Sequence, residues 1–173
     1  MRVIAGRFRS RKLKSPPGLS VRPTPDRLRE SLFNILAPRL PGVTFLDAYA
    51  GSGAVGIEAL SRGAKHAILI ERSAKALQVL RDNVAALGIE SEATVVRGSA
   101  AVLLHNYPCD MAFIDPPYDQ GNEYGESLTA LSATNVQLVI AQHPSRMGLD
   151  ENYGRLSRTR VVRQGDNSLT FYE

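Results

Sequence analysis

The sequence predicts an α/β protein: a doubly wound, mostly parallel sheet that closes in a C-terminal antiparallel hairpin and is preceded by a short basic N-terminal β-hairpin or arm. Three observations carry this. From Val43 onward, short apolar runs alternate with stretches of helical spacing, the pattern of repeated βαβ units. Gly51-Ser52-Gly53-Ala54-Val55-Gly56 stands between one such strand and the next helix, and Asp115-Pro116-Pro117-Tyr118 follows another strand. Charge is uneven: residues 1 to 29 hold nine Lys/Arg against Asp26 alone, while the whole chain carries only +4.

Within the basic segment Val3, Ile4, Phe8 and Leu13 interleave with the cations, and Gly6 and Pro16-Pro17-Gly18 punctuate it. That spacing suits a hairpin or extended arm pinned on the body better than a solvated tail, and its charge suits a polyanion. As an arm it is expected to be removable without loss of cofactor binding. Next, Leu28, Leu32, Phe33, Ile35 and Leu36 share one helical face, with Thr24 as N-cap and Pro25 at the first position. The helix should end near Pro38 to Pro41.

Val43 to Tyr49 reads as a buried strand, Ala54 to Arg62 as a helix stopped by Gly63, and His66 to Glu71 as a second strand. Ser73 to Leu87, closed by Gly88, is a helix, Ala93 to Arg97 a strand, Ala100 to Leu104 a short helix and Met111 to Ile114 a strand. A helix near Tyr124 to Leu131 and a strand at Val136 to Ala141 follow. Leu156 to Val162 and Ser168 to Tyr172 then flank the turn Gln164-Gly165-Asp166-Asn167, the signature of an antiparallel hairpin. At 173 residues one catalytic domain is expected over 20 to 173, with the basic segment 1 to 19 before it.

Composition excludes several classes. Cys109 is the sole cysteine, so neither an intrachain disulfide nor a multi-cysteine zinc site is expected. His66, His105 and His143 lack metal-ligand spacing, and no bound metal is expected. No apolar stretch reaches signal-peptide or membrane length, which predicts a cytoplasmic protein without a membrane partner. A monomer is the expected state. Phosphate-loop and nucleophile-elbow patterns do not occur.

The glycine loop matches G-x-G-x-x-G, which first suggests a dinucleotide. Asp47, four residues before Gly51 at a strand's carboxyl end, instead suits the α-ammonium of S-adenosylmethionine, because a carboxylate there repels a pyrophosphate. Glu71, 20 residues after Gly51, is placed to accept both ribose hydroxyls of either ligand. The candidate cofactor-binding residues are Asp47, Ala50, Gly51, Ser52, Gly53, Glu71, Arg72, Ser99, Ala100 and Asp115, with Ser99 and Ala100 near the adenine or simply capping a helix.

In the second loop the prolines stiffen the backbone and offer carbonyls without competing N–H groups, so Asp115 and the Pro116 carbonyl can both accept from one exocyclic amine. Tyr118 is placed to stack on the base that carries it. Asp115, Pro116 and Tyr118 are the candidate catalytic residues. Arg7, Arg9, Arg11, Lys12, Arg22 and Arg27, with Pro117 and Tyr118, are the candidate RNA contacts. Adenine N6 in DNA, a protein glutamine amide and a non-catalytic RNA-binding module with the same fold remain alternatives.

The stretches Arg2 to Gly6, Arg11-Lys12-Leu13, Arg22 to Asn34, Leu46 to Ala64 and Phe113 to Tyr118 together resemble the RsmD-type methyltransferases of the class I fold. The resemblance implies a Rossmann-like seven-stranded sheet and S-adenosylmethionine held by Asp47, Gly51, Gly53 and Glu71. It also implies a guanine, methylated at N2, held by Asp115 to Tyr118, with ribosomal RNA or the assembling small ribosomal subunit as partner. Ser99 stands where relatives often carry Asp or Asn, and Ala141-Gln142-His143 replaces a stretch that commonly includes an acid. From Asp119 on the match is loose.

Overall fold

Strands with helices on both sides must be apolar on both faces, and the short runs of this chain become such strands. In the computed structural model, which describes residues 1–16, 26–117 and 122–173, β1 (Thr44–Asp47), β2 (His66–Glu71), β3 (Ala93–Arg97), β4 (Met111–Ile114) and β5 (Leu138–Pro144) are parallel neighbours. β8 (Asn167–Tyr172) pairs antiparallel with β5 and with β7 (Leu156–Gln164). The sheet runs β3-β2-β1-β4-β5-β8-β7-β6.

Among the described residues the count is eight rather than the expected seven, because a two-residue β6 (Asn152–Tyr153) pairs with the start of β7. Two residues at a turn carry no alternation to read. The chain reverses direction across the sheet between β1 and β4, so the crevice beyond their carboxyl ends is the topological switch point where ligands of doubly wound folds collect.

Helices cover both faces. α1 (Asp26–Leu36) buries Leu28, Leu32, Phe33 and Leu36 against Phe45, Phe113 and Ile140. On the same side lie α2 (Ala54–Ser61) and α3 (Ala74–Leu87), which enclose Ile57, Leu69, Leu77 and Leu80. The opposite face takes α4 (Ala100–Leu103), continued by a 3-10 turn, and α5 (Asn122–Ser132), whose Tyr124, Leu128 and Leu131 pack on Leu46, Ala112 and Val139. Ser73 caps α3 by accepting from the Ala76 N–H, and Gly88 closes it in the left-handed conformation. The predicted cap of α1, Thr24-Pro25, lies outside the described residues.

The basic N-terminus is a hairpin. Arg2 bridges to Lys12, and Val3 and Leu13 are 1% and 5% exposed, inside the α2–α3 core. Glu58 of α2 accepts from the Ile4 and Ala5 N–H groups at 2.8 and 3.0 Å. Asn83 of α3 accepts from the Lys14 N–H at 2.8 Å and donates to the Lys14 carbonyl at 3.0 Å. The hairpin therefore serves as a further layer of the core.

Candidate functional site

Register fixes the site. Asp47, the last residue of β1, is level with Leu69 of β2 and with Phe113 of β4. Glu71 and Asp115 each follow those partners by two residues. Asp47, Glu71 and Asp115 therefore stand at adjoining strand tips on one edge of the sheet, and Glu71 is close enough to act on the Asp47 carboxyl.

The glycine loop spans this edge. The Ala50 N–H donates to the Ile70 carbonyl at 2.9 Å and the Gly53 N–H to the Ala50 carbonyl at 2.7 Å, so the loop turns tightly over the end of β2. Gly53 has φ +83, and a Cβ there would stand 2.4 Å from Leu80 Cδ1; at Gly56 it would stand 2.2 Å from Leu69 Cδ2. These two glycines let α2 pack against α3 and β2. Gly51, with φ +54, has nothing within 4 Å of its would-be Cβ, which makes it the open side of the loop.

Asp47 is 2% exposed, and its Oδ2 accepts from the Gly56 N–H at 3.1 Å. Burial pushes its carboxyl up to about 7, with the Gly56 and Tyr49 N–H groups opposing and Glu71 adding. Glu71 accepts from the Gly51 N–H at 2.8 Å and from the Ser73 N–H at 2.7 Å. Each of its oxygens retains a lone pair. A buried carboxylate bonded by backbone N–H groups next to a second carboxylate fits a cation, and the pair fits an ammonium beside a diol.

Ser52 turns its hydroxyl to Met1 Sδ at 3.6 Å and its carbonyl to Asn83 Nδ2 at 2.9 Å. Arg72 reaches across the edge to Glu123 in the first turn of α5, at 2.9 Å. Ser99 precedes α4 without bonding its N–H groups through the side chain, and Ala100 is buried. Asp115 accepts from Gln142 Nε2 at 2.9 Å, and Pro116 is buried beside a half-buried Pro117. Tyr118 and Arg22 lie outside the described residues.

Among the candidate RNA contacts, Arg7 pairs with Glu92 at 2.6 Å and stacks on its neighbour Phe8, and Arg11 donates to the Ala86 carbonyl at 3.4 Å. Arg9, Lys12 and Arg27 are exposed. Arg29, counted by sequence with the basic segment, is fully buried between Asp26, Glu58 and the Arg2 carbonyl. The signal was present: Arg29 sits beside Leu28, Leu32 and Phe33 on the apolar face of α1.

Several residues at this edge went unread. Tyr49 bonds Ser127 at 2.8 Å, Asn83 ties α3 to the glycine loop, and Gln142 holds Asp115. Only the last left a sequence trace, a polar residue directly after Leu138 to Ala141. Among the described residues no group of three His, Cys, Asp or Glu side chains is arranged to hold a metal ion, and no helix is long and apolar enough to cross a membrane.

The model of a family described as conserved hypothetical protein 95 matches residues 1–173. YlbH of Bacillus subtilis (strain 168) is 36% identical over 182 residues, which take in 100% of this chain and 98% of that protein. Ribosomal RNA small subunit methyltransferase D of Escherichia coli (strain K12) is 45% identical over 123 residues, 70% of this chain and 62% of that protein. This last match thus spans under two thirds of the E. coli protein's length. Among solved structures, Escherichia coli yhhF superposes with a TM-score of 0.85 at 36% identity, covering 99% of this chain and 96% of that one.

Proposed function

The chain belongs to the conserved hypothetical protein 95 family, the RsmD-type methyltransferases of the class I fold, and from that premise we propose that it transfers a methyl group from S-adenosylmethionine to the exocyclic N2 of a guanine in small-subunit ribosomal RNA. The observation that carries the reading is the placement of Asp47, Glu71 and Asp115 at neighbouring strand tips. Two of these carboxylates suit the cofactor and the third suits the amine. A cytoplasmic, monomeric enzyme acting on free or partly assembled ribosomal RNA accords with it.

Asp47 would hold the α-ammonium of the cofactor and Glu71 its ribose hydroxyls, and the backbone at Gly51 is open on its side-chain face. Ala50, Gly53, Ser99 and Ala100 line the same edge, and Arg72 with Glu123 borders it. S-adenosylmethionine supplies a methyl group activated by its sulfonium.

Asp115 and the Pro116 carbonyl accept the N–H groups of the guanine amine. A purine amine is a poor nucleophile because its lone pair is delocalised into the ring. Hydrogen bonds from the amine to these acceptors favour a pyramidal nitrogen and would localise that pair. No strong base is needed, since the nitrogen becomes acidic only once methylated. Tyr118 stacks on the extruded base, an interaction of about 1–3 kcal/mol.

The test is transfer of labelled methyl groups to ribosomal RNA and to small-subunit particles, with nucleoside analysis of the product. N2-methylguanosine is expected, and label in adenosine or in protein overturns the substrate assignment. Asp115→Ala should lower turnover on the order of 10²-fold, the loss expected when a preorganised polar contact to the reacting group is removed. Unchanged transfer by that variant overturns the role of Asp115.

A further inference from the structure

Gln142 lies on β5 one residue beyond the Ile114↔Ala141 register pair, which places it beside Asp115. It is 1% exposed. Its Nε2 donates to Asp115 Oδ2 at 2.9 Å. A carboxylate oxygen only accepts, so the amide has one usable orientation, and that orientation leaves Oε1 buried without a hydrogen-bond partner.

A buried, unpaired acceptor destabilises a fold, and what the amide gives in return is its hydrogen bond to Asp115. The amide therefore answers to something other than packing. Its backbone is also well anchored: the Gln142 carbonyl accepts from Tyr124 Oη at 2.8 Å, and the residue sits between β4 and β8, level with Leu169. A rigid strand interior is where a group that orients another is most effective.

We propose that Gln142 is a positioning residue whose side-chain amide fixes the Asp115 carboxylate in the orientation that meets the target amine. This rests on the methyl-transfer reading and adds to it a residue that touches neither cofactor nor base.

The test is Gln142→Met, which keeps the length and shape of the side chain and removes the donor. Turnover should fall on the order of tenfold, as misplacement of a reacting group costs, with cofactor affinity within about twofold of the parent. The melting temperature reports two opposed changes, since the substitution removes an orphaned acceptor and also takes the donor from Asp115, so turnover of the folded protein is the deciding readout. In an Asp115→Ala background the same substitution should change turnover no further, since the two residues act as one unit.

A purely structural glutamine predicts losses of turnover that add to those of Asp115→Ala. That result, or undiminished turnover in Gln142→Met, overturns the proposal. A second measurement is independent of activity. The Gln142 side-chain amide resonances should be shielded from exchange in the parent and should move in Asp115→Ala; resonances that stay in place remove the contact itself. If the parent protein leaves guanine N2 unmethylated, the proposed function falls, and these resonances still decide the Gln142–Asp115 contact.

Discussion

Asp47 carries opposite consequences for the empty and the loaded protein. Burial holds its carboxyl at about 7 in the fold against 3.8 in an unperturbed chain. Between those values the folded state keeps a proton that the unfolded state has released, so stability must fall as pH rises across that window and level off above it. Three pH units correspond to about 4 kcal/mol at most. An ammonium placed against Asp47 favours the ionised form, so cofactor affinity should weaken below pH 7 by up to about tenfold per unit. Urea melts of the cofactor-free protein and calorimetric titration of S-adenosylmethionine, each from pH 5.5 to 8, give both slopes. Asp47→Asn should flatten both, and a pH-independent affinity in the parent protein would remove Asp47 from the ammonium site.

Among the elements, the N-terminal hairpin is the one whose place most changes the picture from sequence. Glu58 receives the Ile4 and Ala5 N–H groups and Arg62 Nε at 2.7 Å, with Arg29 Nε at 3.9 Å, so α1, α2 and the hairpin share one buried charge cluster. Burial lowers the Arg29 pKa, and Glu58 opposes this. Removing the carboxylate leaves a buried guanidinium with less compensation: Glu58→Ala should cost about 3–5 kcal/mol in urea unfolding, and a loss below 1 kcal/mol would mean that water reaches the cluster. Asn83 further ties the hairpin to the Ser52 carbonyl of the glycine loop, so removal of the N-terminal segment should disturb the cofactor loop rather than spare it. The parallel strands were legible from their apolar centres, and β2, β3 and β4 begin and end at the residues expected of them. β5 runs three residues past its expected end at Ala141, because β8 pairs with it as far as Pro144 and the side chains of Gln142 and His143 find partners in Asp115 and Thr170. Those partners lie 27 residues away in each case, and a local window contains nothing of them. The placing of Asp47 and Glu71 at one edge of the sheet was legible from spacing along one βαβ unit, whereas the Gln142 contact depends on register between strands.

At the scale of the whole molecule, the charge asymmetry divides once the fold is known. Of the cations in the basic segment, Arg7 pairs with Glu92, Lys14 with Asp82, and Arg29 is buried. Among the described residues Arg2, Arg9, Arg11, Lys12 and Arg27 are exposed with no acidic partner. If these five carry the phosphate contacts, the logarithm of the RNA association constant should fall with that of salt at a slope near −3.5, about 0.7 for each phosphate on an unpaired strand. Deletion of the hairpin would confound this measurement with unfolding, since Val3 and Leu13 belong to the core. Exchanging Arg9, Lys12 and Arg27 together for Gln leaves those apolar contacts in place. The slope should shrink to about −1.4, with the melting temperature and cofactor affinity held. A slope that keeps its parent value would place the phosphate contacts elsewhere on the molecule and return the three side chains to ordinary solvated charge.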